Sequence, residues 1–158
     1  MGLDLTMALL LAATATTGLL AGASLDQSIK QLPARHRIGA ATYSRYSQAA
    51  DLGNGIAFYA TLGIAVLVFN VCAAAAAYVL KASPGLALSL QAGALLAILQ
   101  SLVTALAAPL NFRQRRTTDE TALAAILDRF ARLQALRCAI QVLNFGANLY
   151  AMVDRAPV

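Results

Sequence analysis

Four long stretches almost without charge set the limits on what this chain can become. Leu5 to Leu25, Leu52 to Leu80 and Ala82 to Phe112 carry no Asp, Glu, Lys or Arg, and Leu133 to Val153 carries only Arg137. A helix crossing the hydrocarbon core of a bilayer needs about 20 mostly apolar residues, and each stretch is that long. At 158 residues the chain is sized for one domain. It is 59% hydrophobic and only 12% charged, where a soluble domain carries about 25% charged residues. A soluble bundle would need a broad polar stripe on each helix to face water, and the stretches do not supply one. The sequence therefore predicts an all-α, integral membrane four-helix bundle. It is a single domain over 1–158, with spans at about 5–28, 52–80, 86–108 and 132–153.

The net charge of +5 matters less than where it sits. Lys30, Arg35, Arg37 and Arg45 fall in the first connection, and Arg113, Arg115, Arg116, Arg129 and Arg132 in the third. Lys81 and Arg155 are left for the other side. The positive-inside rule then places the first and third connections in the cytoplasm and both termini outside, in a plasma (inner) membrane. A nucleic-acid surface is excluded, because no array of stacking aromatics accompanies the basic residues. "AGAS" at 21–24 has the look of a signal-peptide cleavage site, but no Lys or Arg precedes it, so a retained helix is expected.

Metal and cofactor chemistry finds little to work with. Cys72 and Cys138 lie in separate stretches, and His36 is the only histidine. A tetrahedral zinc site or a bis-histidine haem is hard to build from these, and no acid lies within a span. No metal and no cofactor is expected. The two cysteines read as small apolar core residues.

Along the chain, the first helix is expected over about Leu5–Ser28, broken by Pro33. A second begins near Ile38, with Tyr43 and Tyr46 suited to a membrane interface. "DLGNG" at 51–55 marks a turn or a softened helix entering the membrane, and "KASPG" at 81–85 a tight turn that makes its neighbours antiparallel. The third span stops near Pro109. Thr117 and Glu120 are spaced as a capping box for the fourth helix. Nothing then breaks that helix before Pro157, which gives about 36 residues, or roughly 54 Å. That exceeds a core of about 30 Å, so the second and fourth helices should extend beyond the membrane.

The fourth helix carries the functional signal. Leu123, Ile126, Phe130, Gln134, Arg137, Gln141, Asn144 and Asn148 follow one another in steps of three and four and share one face. The face is apolar at its start and polar within the span. Ionisable groups inside a span are expensive and mark functional sites by default, so the stripe should face the bundle interior. Gln100, Thr104 and Asn111 fall on one face of the third helix and Asn70 lies on the second. Together with Gln134, Arg137, Gln141 and Asn144 they are the candidate ligand-binding residues. Asp51, Asp119 or Glu120 is available to pair with Arg137. For Asn144 and Asn148 the plainer reading is helix-to-helix hydrogen bonding. His36, between Arg35 and Arg37, should stay neutral and is a minor candidate for a general base.

The chain resembles the anthrone oxygenase-like family of small four-span membrane proteins. The resemblance covers nearly the whole chain. It rests on "GLLAGAS" at 18–24, "PLN" at 109–111, the acid Asp119, and Arg129–Phe130 followed by Arg137. It implies oxidation of hydrophobic phenolic or polycyclic aromatic molecules by molecular oxygen without metal or flavin. Asn111, Asp119, Arg129 and Arg137 are then the positions to watch, with Arg137 stabilising an oxyanion and His36 or Asp119 acting as base. The family often places tryptophan where this chain has Phe130, and the chain has no tryptophan. Two other readings stand beside this one. One is a non-catalytic module binding a lipid or small amphipathic ligand. The other is a structural subunit that meets a protein partner, or a second copy of itself, through residues 117–132.

Overall fold

The computed structural model describes residues 4–154, and every regular element among them is helical. The order is α1 (Leu5–Asp26), α2 (Leu32–Ile38), α3 (Ala40–Ala49), α4 (Gly55–Val79), α5 (Pro84–Arg113) and α6 (Glu120–Asp154). The four long helices pack in a ring: α1 lies between α4 and α6, and α5 closes the ring from the other side. Three stretches are long and apolar enough to cross a membrane, namely residues 5–38, 40–79 and 84–116. α6 is equally long, but its polar stripe sets it apart from them.

Local chemistry explains the helix ends. Asp4 caps α1, its carboxylate accepting from the Met7 N–H at 2.9 Å. Ser83 caps α5 with Pro84 in the first turn, as the tight turn at 81–85 predicted. At α6 the capping group is Asp119, which accepts from the Ala122 N–H at 2.7 Å. Thr117, the expected cap, instead donates back to the Arg113 carbonyl. Pro33 does not break the first helix: it directly follows the π-helical turn Gln27–Gln31, and the chain stays helical without a gap to Ile38. The break comes at Gly39, with φ 83° and ψ 151°, a region open essentially to glycine alone. Likewise Pro109 lies inside α5, which runs on to Arg113.

Two π-helical turns interrupt the helices, at Gln27–Gln31 and at Ala50–Asn54. The second contains Gly53 in a non-helical conformation, so "DLGNG" is a kink rather than a reversal. Gly55 is needed beside it, because a Cβ there would meet the Ala50 carbonyl oxygen at 2.7 Å.

α2 and α3 fold back over one end of the ring. Leu32 and Tyr43 pack there with Ala107, Leu123, Leu127 and Phe130. Arg35 on α2 reaches Asp128 on α6 at 2.9 Å. The apolar start of the α6 stripe is thus covered by the chain's own α2 and α3. Tyr43 is 1% exposed, so it is a core residue of this cap; Tyr46 is half exposed. Burial pushes the Tyr43 phenol up from its ordinary range, with Asp51 adding to the effect.

The distribution of polarity is inverted relative to a water-soluble bundle. Leu19, Ile64, Leu88, Leu95, Leu102, Leu143 and Tyr150 are exposed around the outside. Thr17, Ser24, Asn70, Gln100, Gln134, Gln141, Asn144 and Asn148 are buried within. Large apolar patches of this kind need a non-aqueous neighbour. Cys138 is buried as expected, whereas Cys72 lies on the exposed face of α4.

Candidate functional site

The α6 stripe faces the interior at Leu123, Phe130, Gln134, Gln141, Asn144 and Asn148, with Ile126 and Arg137 half-buried at its edge, and its two polar halves meet different surroundings. The deeper half forms a closed layer to which all four long helices contribute. Asn70 on α4 and Asn148 on α6 both donate to the Thr17 hydroxyl on α1, each at 3.4 Å. Asn70 also donates to the Val66 carbonyl at 2.8 Å. α5 contributes Gly93. A Cβ there would lie 2.9 Å from the amide oxygens of Asn70 and Asn148 and 3.4 Å from that of Asn144. Small residues let membrane helices approach closely, and amide side chains hydrogen-bond between them. Asn144, an expected ligand residue, belongs to this layer.

The other half of the stripe faces open space. A crevice of about 440 Å³ lies between α4 and α5. Its walls are Leu20, Ile56, Tyr59, Ala60, Gly63, Ile64, Leu67, Ala108 and Phe112. Its polar groups are Gln100, Ser101, Thr104, Arg137 and Gln141. A smaller chamber of about 120 Å³ adjoins it, sharing Ile56, Tyr59, Ala108, Phe112 and Arg137 and adding Gln27, Asp51, Leu52, Asn111 and Phe130. Arg137 is therefore common to both spaces.

The hydrogen bonding around Arg137 is incomplete. One terminal nitrogen donates to Gln134 Oε1 and the other to Thr104 Oγ1 at 3.5 Å. Its Nε is buried with no partner, as are Gln100 Oε1 and Gln141 Oε1. Among the described residues the ion pairs are Lys30–Asp26 and Arg35–Asp128, so Arg137 has no carboxylate partner there. Guanidinium N–H groups pair best with carboxylate, phosphate or phenolate oxygens.

Asp51 is the acid of the chamber. It lies just outside the uncharged run and is 7% exposed. The Ser47 hydroxyl donates to its Oδ2 at 2.8 Å. Gln114 donates to Ser47 at 3.3 Å and also to Asn111 Oδ1, joining α3, α5 and the turn after α5. Burial pushes the Asp51 carboxyl up, while Ser47, Gln27 and the charge of Arg137 pull it down less strongly. Both π-helical turns supply a chamber residue, Gln27 from the first and Asp51 from the second. π-helical turns gather at functional sites because the extra residue re-aims a side chain.

The structure thus brings together Gln100, Thr104, Asn111, Gln134, Arg137 and Gln141 around one pair of cavities. It does not bring His36 or Asp119 to them. His36 is exposed and lines a separate surface hollow with Arg35, Ala40, Glu120, Ala124 and Asp128. The Asp119 carboxylate is engaged in capping α6, and Arg129 points to the surface. Gln27, Tyr59 and Gly93 are contributors that sequence reasoning missed. The only hint was the glycine-rich "DLGNG", which marks a backbone irregularity but not which side chain it aims inward. Among the described residues no three His, Cys, Asp or Glu side chains lie close enough together to hold a metal ion. Comparison with protein-family models, with curated proteins and with solved structures gives no match.

Proposed function

We propose that this is an integral membrane protein of four spans that takes a hydrophobic molecule with an oxygen-bearing head out of the bilayer. The outward apolar faces of the long helices suit lipid, and burying the α6 stripe against α1, α4 and α5 makes a fourth span affordable. The basic residues of the α2–α3 cap and the α5–α6 connection gather at one end, which fits a cytoplasmic location for that end. The ligand's apolar body fills the crevice between α4 and α5, and its head meets Arg137. One observation carries this reading: Arg137, with a buried donor to spare, lines both the apolar crevice and the polar chamber.

The test is native mass spectrometry of the detergent-purified protein with a panel of carboxylate- and phenol-headed amphiphiles. Wild type should retain a ligand, and Arg137→Gln should lose about tenfold in retention, the worth of one charge-assisted hydrogen bond. Equal retention by both proteins would sink the reading.

A second reading has its own support, the presence of Asp51 and Arg137 in one chamber. In it the protein is a cofactor-free oxygenase of the anthrone type. Asp51 takes the proton of a phenolic or activated CH donor, and Arg137 holds the resulting oxyanion in a low-dielectric site. Molecular oxygen then converts the CH₂ to a carbonyl, with water as the other product. Oxygen uptake with anthrones, above autoxidation and lost in both Asp51→Asn and Arg137→Gln, would support it. Background uptake in all three proteins would remove it.

A further inference from the structure

We propose that the molecule bound in this site is a phospholipid whose head carries both a phosphate and a primary ammonium. The phosphate sits on Arg137 and the ammonium on Asp51 and Gln27. The proposal rests on the binding reading above and gives its ligand a chemistry.

The length of the crevice is the first support. On α4 its lining runs from Ile56 to Leu67, and on the antiparallel α5 from Phe112 to Gln100. Helical stretches of that length rise about 16 to 18 Å, close to half of a hydrocarbon core about 30 Å thick. The groove therefore matches an acyl chain of a single leaflet. The end that opens into the chamber, at Arg137, lies beside the π-helical turn at the start of α4, where a head group of that leaflet would sit.

The second support is the pair of opposite charges in the chamber. Asp51 and Arg137 line the same 120 Å³ space without forming an ion pair. A buried carboxylate and a half-buried guanidinium held apart are costly, and a ligand with the complementary pair would satisfy both. Guanidinium suits phosphate because it offers two parallel donors. The other side of the chamber offers acceptors. Ser47 donates to one oxygen of Asp51 and Gln27 also hydrogen-bonds to the carboxylate, whose remaining lone pairs can still accept. Gln27 is 2% exposed, and its Oε1 has no partner. An ammonium with three N–H groups can use both acceptors. A trimethylammonium head has no N–H to give, and a glycerol head has no positive charge for Asp51.

The experiment offers the purified protein an equimolar mixture of phosphatidylethanolamine, phosphatidylcholine and phosphatidylglycerol of one chain composition, and reads the retained lipids by native mass spectrometry. Wild type should retain the ethanolamine lipid about tenfold over the other two, one charge-assisted contact being the difference. Asp51→Asn, a near-isosteric change, should lose about tenfold in retention of the ethanolamine lipid, bringing it level with the other two. Gln27→Leu, which removes the unpartnered acceptor, should reduce the preference and guards against an Asp51 variant that fails to fold. No head-group preference in wild type, or a preference that survives in both variants, would overturn the proposal while leaving the binding reading intact. No retained lipid of any kind, or retention unchanged by Arg137→Gln, would overturn both.

Discussion

Two glycines in the bundle, Gly93 and Gly63, face opposite circumstances. At Gly93 a single added carbon would sit within 3.4 Å of three asparagine oxygens. At Gly63 it would meet nothing within 4 Å, although that residue lines the crevice. The first glycine closes the bundle around a polar layer. The second leaves space between α4 and α5. A polar stripe on one helix therefore does not say whether it is glue or site. Asn148 and Arg137 lie on the same face of α6, yet one is bonded to Thr17 and the other looks into a cavity. How closely the opposing helix approaches separates the two roles.

The strongest test of this contrast is at Gly93. Gly93→Ile should cost about 3 kcal/mol or more by overpacking, seen as a large loss of thermal stability and of monodisperse protein in detergent. A well-folded Gly93→Ile protein would mean that the asparagine layer is looser than the contacts around it indicate. Next in size, Gly63→Leu should leave stability nearly unchanged but lower ligand retention about tenfold, or 1.4 kcal/mol, by filling the crevice. Retention at the wild-type level would show that the ligand sits elsewhere. Asn148→Ala should then cost about 1 kcal/mol, in the range measured for interhelical hydrogen bonds in membranes. Gln141→Ala, whose Oε1 has no partner, should cost close to nothing by the same unfolding assay. A similarly small effect is expected at the cap. A double-mutant cycle on Arg35 and Asp128 should give a coupling near 0.5 kcal/mol, because Asp128 is 52% exposed and its charge is screened.

Much of the architecture is legible in the order of residues. The uncharged runs mark out the long helices, and the three-and-four spacing on α6 places Gln134, Gln141, Asn144 and Asn148 on its buried face with Arg137 half-buried at the edge. Proline misleads twice. Pro33 and Pro109 read as breaks, but one follows a π-helical turn in a helix that runs on to Ile38 and the other is absorbed within α5. Gly39, the true break, is one of ten glycines, and only its φ of 83° distinguishes it. The candidate site is half legible. The α5 and α6 residues follow from periodicity, which is local. Asp51 and Gln27 reach the chamber through π-helical turns, which shift the phase of a helix by one residue and defeat periodicity. His36 and Asp119 draw interest for their chemistry alone, and chemistry does not carry a side chain across the cap.

Residue order is enough to make this chain helical, to turn the apolar faces of its long helices outward, and to give one of them a charged and amide-rich stripe. Those properties follow from the period of the backbone and from transfer free energies, which act residue by residue. Which half of the stripe is sealed and which opens onto a cavity is settled by packing. That outcome depends on residues far apart in the chain, Thr17 and Gly93 against Asn148, Asp51 against Arg137. Contacts of this kind are fixed by how whole helices approach one another, and no local pattern records them.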